Sequence, residues 1–405
     1  MDTPAGPDHA TARGSAAEVF AAFLKLGCTS FGGPVAHLGY FRDEFVDRRA
    51  WLTDSEYADL VALCQFLPGP ASSQVGMALG LRRAGYLGMA AAWVAFTLPS
   101  VIALVCFALG VRMLGDVADA GWLIGMKAAA VAVVAHAVIG MAGSLVTDKW
   151  RALIAVTAMV LVLLVPSPLV QVAAIAVGAA AGYSLLRGDT RAPEGESQIQ
   201  GRAPMPKSVG LASLAMFAGL LVALPIIGRG SDAGLSIVDG FYRAGALVFG
   251  GGHVVLPLLE QVVVPTGLVD ADVFLAGYGA AQAVPGPLFT FASFLGASAT
   301  GIHWALGATL ATIAIFLPAA LLVAGAMPFW DALRANPASR SVLAGANAAV
   351  VGILAAALYD PVFTAGIAGP ATMALAAVAF VALRSWKVPA WAVVIGAALI
   401  GFAVL

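Results

Sequence analysis

The sequence predicts an all-α polytopic membrane protein made of two inverted repeats with Gly/Pro-broken helices and about 10–13 transmembrane spans. Its 405 residues are 61% hydrophobic, only 11% are Asp, Glu, Lys or Arg, and the mean hydropathy is +0.93. A soluble domain is about one quarter charged, so a water-soluble globular fold is excluded. The net charge of −1 provides no basic excess, which argues against nucleic acid as a partner. The expected surroundings are therefore the lipid bilayer.

Apolar stretches long enough to cross a bilayer alternate with polar breaks along the whole chain. The clearest of them are 87–111, 120–145, 152–165, 168–186, 209–227, 304–326, 341–358, 365–383 and 388–405. We predict a polar tail at 1–14, a first transmembrane repeat at 15–186, a cytoplasmic hydrophilic linker at 187–208, an unpaired transmembrane helix at 209–227 and a second, inverted repeat at 228–405.

The duplication is predicted from two broken regions, 16–83 and 234–302, which carry the same landmarks in the same order. Each has a Phe-Gly-Gly, then a Gln followed by Pro-Gly-Pro, then a Leu-Pro. The matched landmarks are Phe31 with Phe249, Gln65 with Gln282, Pro68-Gly69-Pro70 with Pro285-Gly286-Pro287, Leu98-Pro99 with Leu317-Pro318, and Gly125 with Gly345. Their near-constant spacing indicates an internal duplication.

Opposite membrane orientation of the repeats is predicted by their basic residues. The stretch from Gly32 to Tyr86 contains Arg42, Arg48, Arg49, Arg82 and Arg83, whereas the stretch from Gly250 to Trp304 contains no Lys or Arg. Cytoplasmic loops carry the excess of basic residues, so the two stretches are expected on opposite sides. Each broken region either crosses twice or forms two re-entrant pairs of half-helices, and both alternatives leave the same ends.

Four Gly/Pro breaks, two in each broken region, are predicted to form an anion site. They are Gly32-Gly33-Pro34, Pro68-Gly69-Pro70, Gly250-Gly251-Gly252 and Pro285-Gly286-Pro287. Proline interrupts the helical hydrogen bonds and glycine permits sharp turns. A helix that begins after such a break presents unpaired N–H donors and the positive end of its dipole. Kinks in packed helices are the alternative. The candidate residues are Ser30, Gly32, Gly33, Gln65, Pro68, Gly69, Ser72, Ser73 and Gln74 in the first repeat and Gly250, Gly251, His253, Gln282, Pro285, Gly286 and Thr290 in the second.

Charged residues inside membrane segments are costly and usually functional. Lys25 and Arg243 each precede a Phe-Gly-Gly by six residues, where either one places a cation near a bound anion or extends to the interface. Lys127, His136 and Glu260 are candidates for coupling to protons, with helix-helix hydrogen bonding or a rim position as the alternatives.

Signatures of enzymes are missing: the sequence has no HExxH, GxSxG or nucleotide-binding GxxxxGK[ST] motif. No cofactor, metal site or catalytic residue is predicted, so transport would be driven by an ion gradient or by the membrane potential.

The residues around the breaks resemble a known family. The stretches 31–45 and 57–76 are similar to the first repeat of the chromate ion transporter family, long-chain two-repeat type, and 249–257 with 282–289 are similar to its second copy. One departure is Gly252, where the first copy has Pro34. The resemblance implies an inner-membrane protein with antiparallel halves that exports chromate and confers chromate resistance, and proton coupling is proposed for the family.

Other functions remain open from the sequence. A tetrahedral site distinguishes chromate from sulfate poorly by shape, so a sulfate or other oxyanion permease or exchanger is the main alternative. A passive anion channel and an intramembrane enzyme acting on a lipid phosphate are two further ones. A negative-inside potential favours anion exit by about 2.3 kcal/mol per charge per 100 mV, so uniport or exchange competes with proton antiport. Transport direction and oligomeric state are likewise open.

Overall fold

The computed structural model describes residues 14–30, 33–114, 121–165, 168–186, 206–228, 233–248, 255–329 and 337–404. Within these ranges all regular structure is helical, which confirms the predicted fold class. Gly32, Gly250, Gly251 and His253, nearly all of the predicted tail and most of the predicted linker lie outside the described residues.

The helices form two sets of similar order, with one helix between them. The first half contains α1 (Ala16–Thr29), α2 (Gly33–Arg42), α3 (Asp54–Phe66), α4 (Ala71–Leu114), α5 (Gly121–Leu145), α6 (Lys149–Leu164) and α7 (Pro168–Leu185), and a single helix, α8 (Lys207–Ile227), comes next. The second half contains α9 (Ala233–Leu247), α10 (Val255–Val263), α11 (Ala271–Ala283), α12 (Phe291–Ser298), α13 (Trp304–Ala326), α14 (Pro337–Ala357), α15 (Pro370–Arg384) and α16 (Ala390–Val404).

Helix α4 consists of two antiparallel arms. Ala84 and Gly85 have non-helical backbone angles, and Gly85 has a φ of +67°, which favours glycine. Just outside this turn Gly80 lies against Gly88 so closely that a Cβ on Gly80 would sit 2.3 Å from the Gly88 carbonyl oxygen. Gly296 and Gly307 make the equivalent approach in the second repeat, with a corresponding distance of 2.2 Å. Small residues therefore permit the same tight hairpin in both repeats.

Helix α3 and the first arm of α4 form a re-entrant pair. Each has about 13 residues, or roughly 20 Å of helix, which is too short for a hydrocarbon core of about 30 Å. Arg82 at the end of the arm donates to Glu56 at the start of α3 over 2.7 Å, so the pair enters and leaves on the same face. A capping box between Thr53 and Glu56 fixes that start.

Helices α1 and α2 form the second re-entrant pair of the first repeat. Glu18 in the first turn of α1 is paired with Arg83 at 3.2 Å, and Arg42 at the end of α2 is paired with Asp54 at 2.7 Å. The ends of both pairs thus share the arginine-rich face. Of the two alternatives for the broken regions, the structure has the re-entrant one.

The second repeat has the same pairs. The N–H of Thr300, after α12, donates to the carbonyl of Leu268, before α11, over 2.9 Å. Gly301 lies next to Ala233 at the start of α9, and Gly240 of α9 lies against Val262 of α10. Arg112, near the end of α4, donates to the carbonyl of Ala297 at the end of α12 over 3.0 Å.

Matched residues of the two repeats make matched contacts, which confirms the predicted duplication. A Cβ on Gly27 would lie 2.9 Å from the Phe96 carbonyl oxygen, and one on Gly245 would lie 2.1 Å from that of Ile315. The repeats also exchange helices: Gly125 of α5 packs on Ala397 of α16. In the same way Gly345 of α14 packs on α7.

The outer surface suits a bilayer. Within the described ranges four helical segments are long and apolar enough to cross a membrane by length and composition: Ala71–Met113, Gly121–Gly143, Lys207–Ile227 and Trp304–Phe329. The first of these contains the bend at Gly85, so only its second arm is a continuous crossing. Helix α8 exposes Leu211, Met216 and Val222, as expected of a lipid-facing helix.

We expect Gly245→Ala to destabilise the protein, because its methyl group would meet the Ile315 carbonyl oxygen at 2.1 Å. Overpacking of this kind costs about 1–3 kcal/mol. The measurement is the midpoint of thermal unfolding in detergent. Gly219→Ala is the matched control, because a Cβ there has no heavy atom within 4 Å. A midpoint for Gly245→Ala equal to that of Gly219→Ala would contradict the close packing of α9 on α13.

Candidate functional site

The four chain reversals meet in the interior of the protein and bond to each other across the repeats. They are called here the Ser30 tip (between α1 and α2), the Gly69 tip (between α3 and α4), the Val248 tip (between α9 and α10) and the Gly286 tip (between α11 and α12). The Gly69 N–H donates to the Val248 carbonyl over 2.7 Å. Its repeat counterpart, the Gly286 N–H, donates to the Ser30 carbonyl over 2.9 Å.

Each Pro-Gly-Pro tip is held by one side chain. The Gln74 amide donates to the Pro68 carbonyl over 2.7 Å, and the Ser100 hydroxyl donates to the Pro285 carbonyl over 2.5 Å. Gly69 and Gly286 have φ values of +123° and +100°, where an L side chain is strained. Glycine is therefore required at the centre of both tips.

Two hydroxyls predicted to face a ligand are used locally in the second repeat. Thr290 donates to the Pro287 carbonyl and Ser293 to the Thr290 carbonyl, both over 2.7 Å. These bonds close the single 3₁₀ turn that precedes α12. Their protons are thus committed to the backbone.

Buried polar side chains lie on the first-repeat helices that lead to and from the tips. Among the described residues the hydroxyl oxygens of Ser30, Ser73 and Thr97 are buried and have no hydrogen-bond partner. The ring of His37 contacts the Ser72 hydroxyl and the Ser30 backbone and packs on Phe96. A buried polar group without a partner is costly, so these hydroxyls point to a ligand.

The second repeat has apolar side chains at most of the equivalent positions. Counting from the shared landmarks, Ser30, His37, Ser72 and Thr97 correspond to Val248, Val255, Phe289 and Phe316. All four of these apolar side chains are buried. On the second-repeat side, the predicted site residue Gln282 is partly buried, and its side chain lies within hydrogen-bonding reach of the Tyr278 hydroxyl.

The two basic residues at equivalent positions of the repeats, Lys25 and Arg243, each form an ion pair with a carboxylate. Lys25 lies 3.6 Å from Glu44, a buried carboxylate that also pairs with Arg48 and Arg49. Arg243 makes a two-pronged bond to Asp239 over 2.9 and 2.7 Å. Asp239 thus balances the charge of Arg243, whereas Glu44 is shared by three cations and the Lys25 side chain is 53% exposed.

Of the coupling candidates, Lys127 has the most definite contact. Its buried ammonium donates to Asp272 over 2.5 Å and so joins α5 of the first repeat to α11 of the second. His136, on α5, has a buried Nδ1 with no partner among the described residues. Glu260 on α10 is partly buried and has Asp360 as an electrostatic neighbour.

The two glutamines that precede the Pro-Gly-Pro motifs differ in their exposure to solvent. Gln65 is exposed, whereas its repeat counterpart Gln282 is partly buried. Gly33 has a φ of +78° with open space around it. Sequence reasoning overlooked His37, Thr97, Ser100 and Asp272 as site residues, although His37 stands inside the motif and Ser100 directly follows the Leu98-Pro99 landmark.

Re-entrant half-helices in two inverted repeats, with their tips crossed and polar atoms buried beside them, define a multi-pass membrane transporter. The sequence model of the family described as "Chromate transporter" matches residues 17–183 and 235–402, one match for each repeat. The chain belongs to the chromate transporter family.

Similar proteins carry matching names. A chromate transport protein of Pseudomonas aeruginosa is 31% identical over 85% of this chain and 80% of its own length. A chromate transport protein of Cupriavidus metallidurans is 28% identical over 98% of this chain and 96% of its own length. A probable chromate transport protein of Synechococcus elongatus is 29% identical over 83% of this chain and 82% of its own length. No solved structure matches the chain.

We expect the Lys127–Asp272 pair to show strong coupling in stability. Asp272→Asn leaves the buried ammonium unpaired and should cost up to about 3 kcal/mol, whereas Lys127→Met leaves a carboxylate that is 45% exposed and should cost less. The double variant should regain stability, because it leaves no unpaired charge. The second repeat already has a neutral residue, Asn347, at the position that corresponds to Lys127. Thermal midpoints in detergent measure this.

Transport by the same double variant separates a structural role from a coupling role. A stable double variant that transports normally makes the pair structural, and one that is stable but inactive makes Lys127 a coupling residue. If the double variant loses as much stability as the two single variants together, the ion pair itself is contradicted.

Proposed function

We propose that this protein exports chromate, or a closely similar tetrahedral oxyanion, and thereby confers chromate resistance, with the anion held at the crossed tips. The observation that carries the proposal is the group of buried, unpartnered polar atoms beside the two inter-repeat backbone hydrogen bonds. The family and the names of the relatives support chromate as the substrate.

The first repeat would supply most of the ligands. Ser30 and Thr97 contribute hydroxyls that are 0% and 3% exposed, and Ser73 adds a third at the start of α4. The first turn of α4 also has backbone N–H groups without helical acceptors, next to the Gly69 tip. A dianion would thus be stabilised by several dipoles without an unpaired buried cation in contact with it.

The two tip hydrogen bonds would act as the joint between the repeats. Each joins a glycine of one repeat to the last residue before a break of the other, so movement of one repeat against the other changes both at once. An anion seated beside this joint would become accessible from alternate faces as the re-entrant pairs shift. This is how substrate binding at a repeat interface leads to transport.

The test follows labelled chromate and labelled sulfate in inverted vesicles from a host without other chromate permeases. We expect accumulation of chromate over sulfate, which corresponds to export from the cell. Imposing a proton gradient and a membrane potential separately distinguishes antiport from potential-driven exit. Vesicles from the same host without this protein control for leakage. Preference for sulfate would favour the oxyanion permease, and no uptake of either anion by inserted protein would refute the proposal.

The hydroxyl ligands give a second prediction. Ser30→Ala and Ser73→Ala should each raise the KM for chromate about 10-fold or more, because a hydrogen bond to a charged group contributes about 1.5–3 kcal/mol. Ser184→Ala is the matched control, since Ser184 is exposed and donates to carbonyls of its own helix. An unchanged KM in both variants would place the anion elsewhere.

A further inference from the structure

We infer that the exposed face of α1, with Lys25 and Cys28, lines a water-filled approach from the arginine-rich side of the protein to the Ser30 tip, and that Lys25 attracts the anion into it. The inference rests on the proposed function, because it names the route by which the anion reaches the same site. The positive-inside rule places the arginine-rich side in the cytoplasm, where an exporter takes up its substrate.

Lys25 and Cys28 lie well inside the membrane-embedded part of α1 and are nevertheless exposed. Glu18, in the first turn of α1, is paired with Arg83 at the arginine-rich face. At 1.5 Å per helical residue, Lys25 lies about 10 Å and Cys28 about 15 Å along the helix from Glu18. The Lys25 side chain is 53% exposed, and Cys28 is exposed as well. A charged side chain that faces hydrocarbon is costly, so we expect water along this face.

The exposed face of α1 ends where space is open beside the Ser30 tip. Cys28 is two residues before Ser30, in the last turn of α1. On the other side of the tip Gly33 begins α2, and a Cβ on Gly33 would have no heavy atom within 4 Å. The face therefore leads from the arginine-rich side to a place with room for a small anion.

An excess of positive charge lies at the outer end of this face. The buried carboxylate of Glu44 is shared by Lys25 at 3.6 Å, Arg48 at 2.9 Å and Arg49 at 2.7 Å. One acid cannot balance three cations, and the Arg48 side chain is 54% exposed. A group of cations at the mouth of a cleft raises the local concentration of anions and their association rate.

The other acids of this segment surround a different cation. Asp47 and Asp54 are paired with Arg42 at 3.0 and 2.7 Å, and Asp43 acts on the same guanidinium. The segment thus separates its charges into a basic group around Lys25 and an acidic group around Arg42. The basic group is the one that adjoins the exposed face of α1.

The corresponding face of the second repeat is closed. Counting from the shared landmarks, Lys25 and Cys28 correspond to Arg243 and Ala246. Ala246 is 2% exposed, and the guanidinium of Arg243 is held by both oxygens of Asp239. An exposed face at this place is therefore a feature of one repeat and is not needed for the repeated fold.

The unpaired helix α8 covers this face of α9. Gly228, which ends α8, lies next to Asp239, where a Cβ on the glycine would be 3.5 Å from the Asp239 Cβ. The Tyr242 hydroxyl donates to the Phe217 carbonyl of α8 over 3.0 Å. The face that is exposed in the first repeat is thus covered in the second, so the tips are approached from the arginine-rich side.

The chain supplies its own probe and matched control for a thiol-labelling experiment. Cys28 lies on the proposed approach, whereas Cys106 is exposed on α4 in line with Leu98 and Ile102, apolar side chains that are 39% and 55% exposed. Cys64 is buried. Cys106→Ala leaves Cys28 as the exposed thiol, Cys28→Ala leaves Cys106, and the double variant measures the background from Cys64.

Membrane-impermeant methanethiosulfonates are added to inverted vesicles and to intact cells, and labelling is followed by mass spectrometry. In inverted vesicles we expect Cys28 to react at least about 10-fold faster than Cys106, because the reactive thiolate forms in water and not in hydrocarbon. In intact cells Cys28 should stay unlabelled. Equal rates at the two cysteines, the result for a face covered by lipid or by a second copy of the chain, would overturn the approach. Labelling of Cys28 from outside would do the same.

The role of Lys25 is tested by comparing an anionic sulfonate reagent with a cationic trimethylammonium reagent at Cys28. The anionic reagent should react faster, and Lys25→Gln should lower the ratio of the two rates about 3- to 10-fold at low salt, because the residues are one helical turn apart. Glu44 keeps Arg48 and Arg49 in this variant, so the fold is retained.

Matched variants complete the test of Lys25. Lys25→Arg should keep the native ratio of rates, and so should Lys149→Gln, which changes an exposed lysine on α6. In transport, Lys25→Gln should raise the KM for chromate at low ionic strength and leave kcat unchanged. An unchanged ratio of rates in Lys25→Gln would overturn the role of Lys25.

The same labelling judges the proposed function separately. Slower labelling of Cys28 in the presence of chromate supports both the approach and the substrate. If Cys28 reacts rapidly but chromate neither slows it nor enters the vesicles, the proposed function is refuted while the approach stands. If Cys28 reacts as slowly as Cys106 in a protein that transports chromate, the approach alone is refuted.

Discussion

Two backbone hydrogen bonds across the centre of the protein, from Gly69 to Val248 and from Gly286 to Ser30, are the constraint on which the rest of the structure depends. Inside a bilayer an interrupted helix has no water to satisfy its freed N–H and carbonyl groups. Each repeat has such interruptions and neither satisfies them alone. The inverted arrangement lets each repeat complete the other, which explains why the breaks are duplicated.

The same symmetry accounts for the glycines around the centre. Hydrogen bonds between tips require close approach of backbones, and Gly27 and Gly245 allow α1 and α9 to lie directly on their long partner helices. Gly125 and Gly345 do the same where the repeats exchange helices. A methyl group at these positions would meet a carbonyl oxygen. The close helix packing that glycine allows is therefore needed for the central hydrogen bonds to form.

A symmetric frame holds an asymmetric set of side chains. The polar atoms without partners belong largely to the first repeat, and valine or phenylalanine occupies most of the equivalent places in the second. A small anion needs one set of ligands, and a second polar set would leave more buried groups unsatisfied. In the proposed site, the second repeat would therefore act mainly as the partner that positions the tips.

The membrane class, the duplication, its inversion and the four breaks followed from the sequence by itself, because hydropathy, residue spacing and the distribution of arginines are linear properties of the chain. The sequence left open whether the broken regions cross or return, and it suggested Lys25 and Arg243 as ligands. The tertiary structure decided the first through the pair Glu56–Arg82, and it placed Lys25 beside Glu44 and Arg243 beside Asp239. It also brought His37 to Ser72. Such partners are far apart along the chain or compete with one another, so only the folded geometry selects among them.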